Sequence, residues 1–390
     1  MFLEGNSRRL TGSKDSLKRS FFELDSKRAL ATLLNVQYER FMYHLSVKGQ
    51  SRAYIKFTIP KRNGSPREIT APSSALKIIQ SKLNTLLQAC YDTKAPVHGF
   101  IPDRHILSNA LRHRRKNWVL NVDLKNFFPS INFGRVRGMF LARPYRRNAE
   151  VATHLAKICC YEGKLPQGAP SSPIVSNMVC ARLDGHLQML ARNYRCFYTR
   201  YGDDITISTS LERFPPEIAS VNGEGLERTV RLGRALRKII HTNGFQINES
   251  KSRLQRWHAR QEVTGLVVNK FPNVKRTFVR QVRAMLHAWQ KFGPDAAANE
   301  YSTKYDKRRK TPPEDRSEHF KRVVKGKIEF IGWVRSPKDP LYLKLRATFD
   351  RLAPELASTN SAETELENIK RSMWVLETLV GDDIRQGTAF

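Results

Sequence analysis

The sequence predicts an α+β fold, in which antiparallel strands are set among amphipathic helices and followed by a basic, helical C-terminal part. Three observations carry this. From Ala53 to Ile69 apolar and polar residues alternate around Lys61-Arg62-Asn63-Gly64, the pattern of a hairpin. Cys196 to Ser208 reads as a second strand–turn–strand, and Trp118 to Asp123 as a buried strand. Elsewhere apolar residues recur at helical spacing, with Leu76, Ile79, Leu83 and Leu87 the clearest set.

Taken in order, residues 1–50 form a basic lead-in of helical character. Ser73 or Ser74 can cap the helix that carries Leu76. Pro129 limits any helix that follows the Trp118 strand, Ile174 to Tyr194 is helical in pattern, and Leu226 to His241 is amphipathic. Beyond Val274 the chain turns to basic helices. They are interrupted at Tyr301–Arg316, where charges and Pro312-Pro313 predict a mobile loop, and end in a tail of uncertain structure. The expected division is therefore 1–50, 51–273 and 274–390, without internal repeats.

Charge narrows the function. Lys and Arg number 68 against 36 Asp and Glu, a net charge of 68 − 36 = +32. Such an excess repels itself unless a polyanion offsets it, so nucleic acid is the expected partner, ahead of a merely solvated basic surface. No run of about 18 apolar residues is present and the N-terminus lacks the apolar stretch of a signal peptide, so a cytosolic location is expected and membrane is not. The five cysteines are odd in number and form no CxxC pair. They read as buried free thiols rather than disulfides or a zinc site.

The chemistry is concentrated in acidic residues. In Tyr201-Gly202-Asp203-Asp204, Gly202 permits the positive φ of a tight turn, so adjacent aspartates project from the tip of a hairpin. Neighbouring carboxylates repel unless a cation lies between them, and Mg²⁺ is the oxygen-seeking ion available. Taken alone, the triplet could equally be an ordinary polar turn. Val119-Leu120-Asn121-Val122-Asp123 is an apolar strand whose end can deliver Asp123 beside that tip. Three carboxylates can then bind two metal ions, one activating a primer hydroxyl and one stabilising a departing pyrophosphate.

With these residues in place, the chain resembles the bacterial reverse transcriptases, and most closely those of retrons. The matching blocks run in order from Ile59 to Val268. Ile59-Pro60-Lys61-Arg62-Asn63-Gly64 with Arg67 and Pro72 resembles the first fingers block, and Val97-His98-Gly99-Phe100 the second. Leu165-Pro166-Gln167-Gly168-Ala169-Pro170-Ser171-Ser172-Pro173 is similar to the dNTP-site loop. Gly244-Phe245-Gln246-Ile247-Asn248 with Lys251 is similar to the block that closes the palm. Asn109-Ala110-Leu111-Arg112-His113 resembles the NAxxH element of retron enzymes, and Val263-Thr264-Gly265 their VTG triplet. Gly202 departs from the alanine usual there.

The resemblance implies a right-hand polymerase with fingers and an antiparallel-sheet palm in 51–273 and a helical thumb in 274–390. Asp123, Asp203 and Asp204 would be catalytic and would hold two Mg²⁺ ions. Lys61 and Arg67 would neutralise the incoming dNTP, Gln167 would lie beside it, and Phe128 would be a steric gate against a ribose 2′-hydroxyl rather than a core aromatic. Lys251 would be either a phosphate contact or a structural salt bridge. Asn109, His113, Val263, Thr264 and Gly265 would contact RNA. The implied activity is reverse transcription of a cognate structured non-coding RNA from a guanosine 2′-hydroxyl, giving branched multicopy single-stranded DNA. Its implied setting is antiphage defence in the bacterial cytoplasm, with an accessory effector protein. The competing readings are a group II intron-like or other bacterial reverse transcriptase, an RNA-dependent RNA polymerase and a non-catalytic RNA-binding scaffold.

Overall fold

The computed structural model describes residues 10–46, 52–60, 66–222, 229–305 and 312–357. The chain divides into two compact units, Met1–Arg104 with Trp118–Leu254 and His105–Asn117 with Gln255–Phe390. This partition differs from the one read in the sequence. It turns at Leu254 instead of residue 273, and it assigns 105–117 to the C-terminal unit.

In the first unit, the expected hairpin is β1 (Tyr54–Pro60) paired antiparallel with β2 (Pro66–Pro72), with Ile59 opposite Arg67. Its turn, Lys61 included, lies outside the described residues. The main sheet has the order β4-β5-β3-β8, formed by β3 (Trp118–Lys125), β4 (Phe197–Tyr201), β5 (Asp204–Thr209) and β8 (Gln246–Arg256). β3 is buried along most of its length, as its run of Val119, Leu120, Val122 and Leu124 requires.

The described part of the N-terminal lead-in, residues 10–46, is helical as expected and packs into the core of the first unit. Helices Lys14–Phe22, Lys27–Leu33 and Tyr38–Leu45 place Phe21, Leu30, Leu34 and Phe41 in the core, each 0% exposed. Full burial of such side chains contributes roughly 1.5–3 kcal/mol each, far more than a solvated arm could gain. Helix Ser74–Cys90 begins after Ser73, and its Ile79, Leu83 and Leu87 enter the same core. Ile174 to Tyr194 is two helices, Ser172–Val179 and Ala181–Asn193, which meet at Cys180. Leu226 to His241 is only partly helical. A short hairpin pairs Ala219–Asn222 (β6) with Thr229–Leu232 (β7), and the helix runs from Arg234 to Thr242. β-branched Thr229 and Val230 favour the strand. Gly233 ends it where the backbone is tightest, since a Cβ there would lie 2.0 Å from the Glu217 carbonyl oxygen. All five cysteines are buried and free.

The second unit is mostly helical. Helix Ile106–Arg112 is capped by His105, whose ring accepts from the Ser108 amide at 3.1 Å. The short strands Glu262–Val263 (β9) and Leu266–Val267 (β10) form a hairpin through left-handed Thr264 and Gly265. Helix Arg276–Tyr305 bends at Gly293-Pro294, and helices Arg316–Arg335 and Pro340–Leu352 follow. Trp289 packs edge-on against Phe320 and Phe349, with ring centroids 5.8 and 5.6 Å apart. Of the loop expected at Tyr301–Arg316, Tyr301–Tyr305 instead continues the helix and Pro313–Asp315 is a 3₁₀ turn, while 306–311 lie outside the described residues. No helix among the described residues is long and apolar enough to cross a membrane.

Candidate active site

The acidic cluster is built by strand register. β3 and β5 pair so that Asp123 lies opposite Asp204, and β4 and β5 pair so that Tyr201 lies opposite Asp204. Gly202, with φ 62°, takes the left-handed conformation that a residue with a Cβ adopts only with strain, and so closes the turn. The Leu124 amide donates to the Asp203 carbonyl at 3.1 Å, which fastens that turn to the end of β3. All three aspartates therefore gather at one end of the sheet.

Asp123 is 9% exposed and held from both sides. The Asn248 amide donates to its Oδ1 at 3.0 Å and the Lys251 ammonium to its Oδ2 at 3.3 Å. Burial raises the Asp123 pKa above the ordinary carboxyl value and the nearby Asp203 raises it further; Lys251 and Asn248 oppose the rise without cancelling it. A second positive charge close by would relieve that penalty. An all-carboxylate donor set suits a hard, oxygen-seeking divalent cation. The aspartates do not form a closed chelate, and no three carboxylate, imidazole or thiol groups among the described residues already form a metal-holding cluster. Both oxygens of Asp123 accept hydrogen bonds instead, so the chemistry fits a metal while the side-chain arrangement requires adjustment.

The candidate nucleotide residues among those described lie on β2, on the Leu165–Pro173 loop and just after β3. Arg67 lies on β2, and the neighbouring Thr70 amide donates to the Gln167 carbonyl at 2.8 Å, docking the Leu165–Pro173 loop onto that strand. Gly168 makes the docking possible: its φ is 128°, and a Cβ would stand 3.1 Å from the Thr70 carbonyl oxygen. Phe127 is the core aromatic, buried and stacked on Phe245 with centroids 5.7 Å apart, whereas Phe128 remains partly exposed beside Phe100. Lys251 is engaged with the Asp123 carboxylate, which favours the salt-bridge alternative over a phosphate contact. Sequence reasoning gave no role to Asn248, although it closes the block quoted above.

The candidate RNA residues come together within the second unit, but as interior groups. Asn109, His113, Val263 and Thr264 are 1%, 0%, 0% and 7% exposed. The Thr264 hydroxyl donates to the Ile106 carbonyl at 3.2 Å, joining the VTG turn to the NAxxH helix, and the Arg115 amide donates to the Val268 carbonyl at 3.1 Å. Only Gly265 has backbone partly open to solvent. The two motifs are thus halves of one packed joint. Asn109 differs from its neighbours in that neither polar atom of its buried amide is hydrogen-bonded among the described residues.

The family described as "Reverse transcriptase (RNA-dependent DNA polymerase)" matches residues 59–270. The chain is 34% identical to the Retron Mx162 reverse transcriptase of Myxococcus xanthus, over 70% of this chain and 60% of that one. It is 35% identical to the Retron Mx65 reverse transcriptase of the same organism, over 60% of this chain and 56% of that one. It is 33% identical to the Retron Ec86 reverse transcriptase of Escherichia coli, over 60% of this chain and 69% of that one. The alignments thus span 56–69% of these relatives' lengths. Among solved structures, a telomerase from Candida albicans in complex with a telomeric RNA fragment aligns over 83% of this chain and 67% of its own, at 11% identity and a TM-score of 0.40, too low to carry an argument. The chain, with its α+β right-hand polymerase fold, belongs to the reverse transcriptase family and to its retron type.

Proposed function

We propose that this chain is the RNA-directed DNA polymerase of a retron, copying part of a cognate structured RNA from a guanosine 2′-hydroxyl into branched multicopy single-stranded DNA. One observation carries the reading: Asp123 and Asp204 pair in register beside Asp203, inside the span matched to the reverse transcriptases. In this reading the three aspartates hold two Mg²⁺ ions. Bound there, the ions supply Lewis-acid polarisation of the primer hydroxyl and of the phosphate it attacks.

The chain's own residues set the conditions. Asp123 must be ionised to serve as a ligand, and the Asn248 amide and Lys251 ammonium favour that form against the cost of burial. Arg67, with Lys61, offsets the triphosphate charge, and Gln167 and Gly168 let backbone approach the nucleotide closely. Phe128 excludes a ribose 2′-hydroxyl. The first unit acts as fingers and palm, and the second as thumb. Asn109, His113, Val263 and Thr264 shape the RNA-selecting region instead of touching RNA, because they are buried; Gly265 and the unspent amide of Asn109 are the members with capacity left for a ligand. The retron names of the relatives support the retron assignment; the setting that goes with it in this reading is the bacterial cytoplasm, in antiphage defence beside an effector protein.

The test is Asp203→Asn, which removes one charged ligand while changing little else. Primer extension should be abolished and RNA binding retained. Extension at the wild-type rate would refute the assignment.

A further inference from the structure

We propose that Asp184, Arg200 and Asn177 are positioning residues, which hold the Gly202-Asp203-Asp204 turn from behind through its backbone. The inference rests on reading Asp203 and Asp204 as metal-holding carboxylates.

Arg200 and Asp184 are both 0% exposed, and Arg200 heads the largest fully buried side chains. Their contact is bidentate: Nε donates to Asp184 Oδ1 at 2.8 Å and Nη2 to Oδ2 at 2.9 Å. The Tyr198 hydroxyl donates to the same Oδ1 at 2.7 Å. The remaining arm of the guanidinium reaches the turn, where Nη1 donates to the Gly202 carbonyl at 3.0 Å. That carbonyl belongs to the peptide linking Gly202 to Asp203, so its direction fixes the plane from which Asp203 departs. The anchor is helix Ala181–Asn193, which carries Asp184.

A second support comes from Pro96–Gly99. The Arg200 amide donates to the Pro96 carbonyl and the His98 amide to the Arg200 carbonyl, both at 2.8 Å. Gly99 then lies against the turn, and the Asn177 amide, 0% exposed, donates to the Gly99 carbonyl at 2.9 Å. Asn177 sits on helix Ser172–Val179, directly after the nucleotide loop, and the Ser172 hydroxyl closes that loop by donating to the Pro166 carbonyl at 2.7 Å. Nucleotide loop and catalytic turn thus share one buried scaffold.

Stability alone does not account for this arrangement. Replacing a buried ion pair with apolar residues of similar volume is often neutral or stabilising, so the charges bring little to the fold that packing could not. What apolar residues cannot supply is a donor aimed at the Gly202 carbonyl. That donor is the function assigned here to the pair.

The experiment removes the charged network as a whole, so that no side chain of it is left unpaired and only the Gly202 carbonyl loses its donor: Tyr198→Phe, Asp184→Leu and Arg200→Met combined in the full chain. Primer extension is measured for kcat, dNTP KM and the Mg²⁺ concentration giving half-maximal rate, alongside thermal melting and RNA affinity. The expected variant is folded and binds RNA normally. Its kcat falls roughly tenfold to a hundredfold, its half-maximal Mg²⁺ rises severalfold, and its KM moves little. A folded variant with kcat and Mg²⁺ dependence within about twofold of wild type overturns the proposal. If the triple variant does not fold, Arg200→Lys decides by the same readings, since lysine keeps a charge for Asp184 but cannot also span to Gly202. Asp203→Asn runs in parallel. Its survival as an active enzyme would sink the metal reading and the clamp together, whereas a dead Asp203→Asn beside an unimpaired clamp variant sinks the clamp alone.

Discussion

Adding one methyl group at Gly99 asks how closely the proposed catalytic turn must be held. A Cβ built there lies 2.5 Å from the Gly202 nitrogen, 3.0 Å from the Tyr201 carbonyl carbon and 3.1 Å from the Tyr201 Cα. Ordinary contact begins at 3.4 Å, so the space is short by 3.4 − 2.5 = 0.9 Å. All three atoms are backbone, and no side-chain rotation can absorb the shortfall. Nor can either segment retreat freely, because Asn177 holds the Gly99 carbonyl and Arg200 holds that of Gly202. Gly99→Ala should therefore cost about 1–3 kcal/mol as overpacking, which for a unit of this size lowers Tm by roughly 2–12 °C. The larger effect should be on chemistry, since displacement of a reacting group by about 1 Å can cost a hundredfold in rate. Single-nucleotide primer extension should show kcat down by about tenfold or more, with dNTP KM far less affected. Gly138→Ala is the matched control, for a Cβ at that exposed helical glycine meets nothing within 4 Å. A Gly99→Ala enzyme with the expected fall in Tm but an unchanged kcat would refute the reasoning, because the turn would have moved without consequence.

Phe128→Ala should raise ribonucleotide incorporation relative to deoxyribonucleotide by roughly 10- to 100-fold with only a small loss of Tm, since Phe127 fills the core. An unchanged ratio in single-nucleotide assays would make Phe128 a packing residue. Thr264→Ala with Gly265→Ala should lower Tm, because both positions have left-handed backbone, and should impair branched-product synthesis on the cognate RNA more than extension of an annealed primer. Equal loss on both substrates would remove the RNA role. Lys327, whose amine burial pushes down to about 8, favours its neutral form; its contribution to stability is present above the ordinary lysine range and is lost as pH falls through about 8. Lys327→Met should therefore stabilise the second unit at neutral pH by about 1–2 kcal/mol, a gain that shrinks as pH rises toward 10. Urea melts followed by tryptophan fluorescence report on it, because Trp257, Trp289 and Trp333 all lie in that unit, and a gain that does not change with pH would contradict the assignment.

What the sequence makes legible is local. The Gly202-Asp203-Asp204 turn can be read from Gly202 between two alternating strands, and the hairpin around Asn63-Gly64 likewise, because strand period and turn chemistry involve neighbouring residues. The strand at Thr229–Leu232 also had its signal, β-branched residues before a glycine, but the helical period after Arg234 masks it. Long-range pairing is different. Nothing near Asp184 announces Arg200 as its partner, since one lies on a helix and the other on a strand and no single period relates them. The membership of 105–117 in the second unit depends on Thr264 reaching Ile106 and Arg115 reaching Val268, contacts across more than a hundred residues of sequence. For the same reason, motifs whose resemblance to retron elements implies RNA contact are found meeting in the interior.

Charge balance at the sheet end gives the proposed metal reading its physical basis. The chain as a whole is strongly positive, which by itself would lower carboxyl pKa values, yet that of Asp123 is raised. Local burial and Asp203 therefore outweigh the distant cations, as expected when solvent screens charges beyond about 8–10 Å. Lys251 does not close the deficit. Its side chain is 43% exposed, so its attraction for Asp123 is weakened by solvent, and three carboxylates with one ammonium leave −3 + 1 = −2. In the proposed reading, a nucleotide triphosphate adds further negative charge at the same place. The basic surface can gather nucleic acid by releasing counterions from its phosphates, but it cannot bring phosphate against these carboxylates. In the proposed reading compact, multiply charged cations between the two do so, and an all-oxygen donor set is the one such cations prefer.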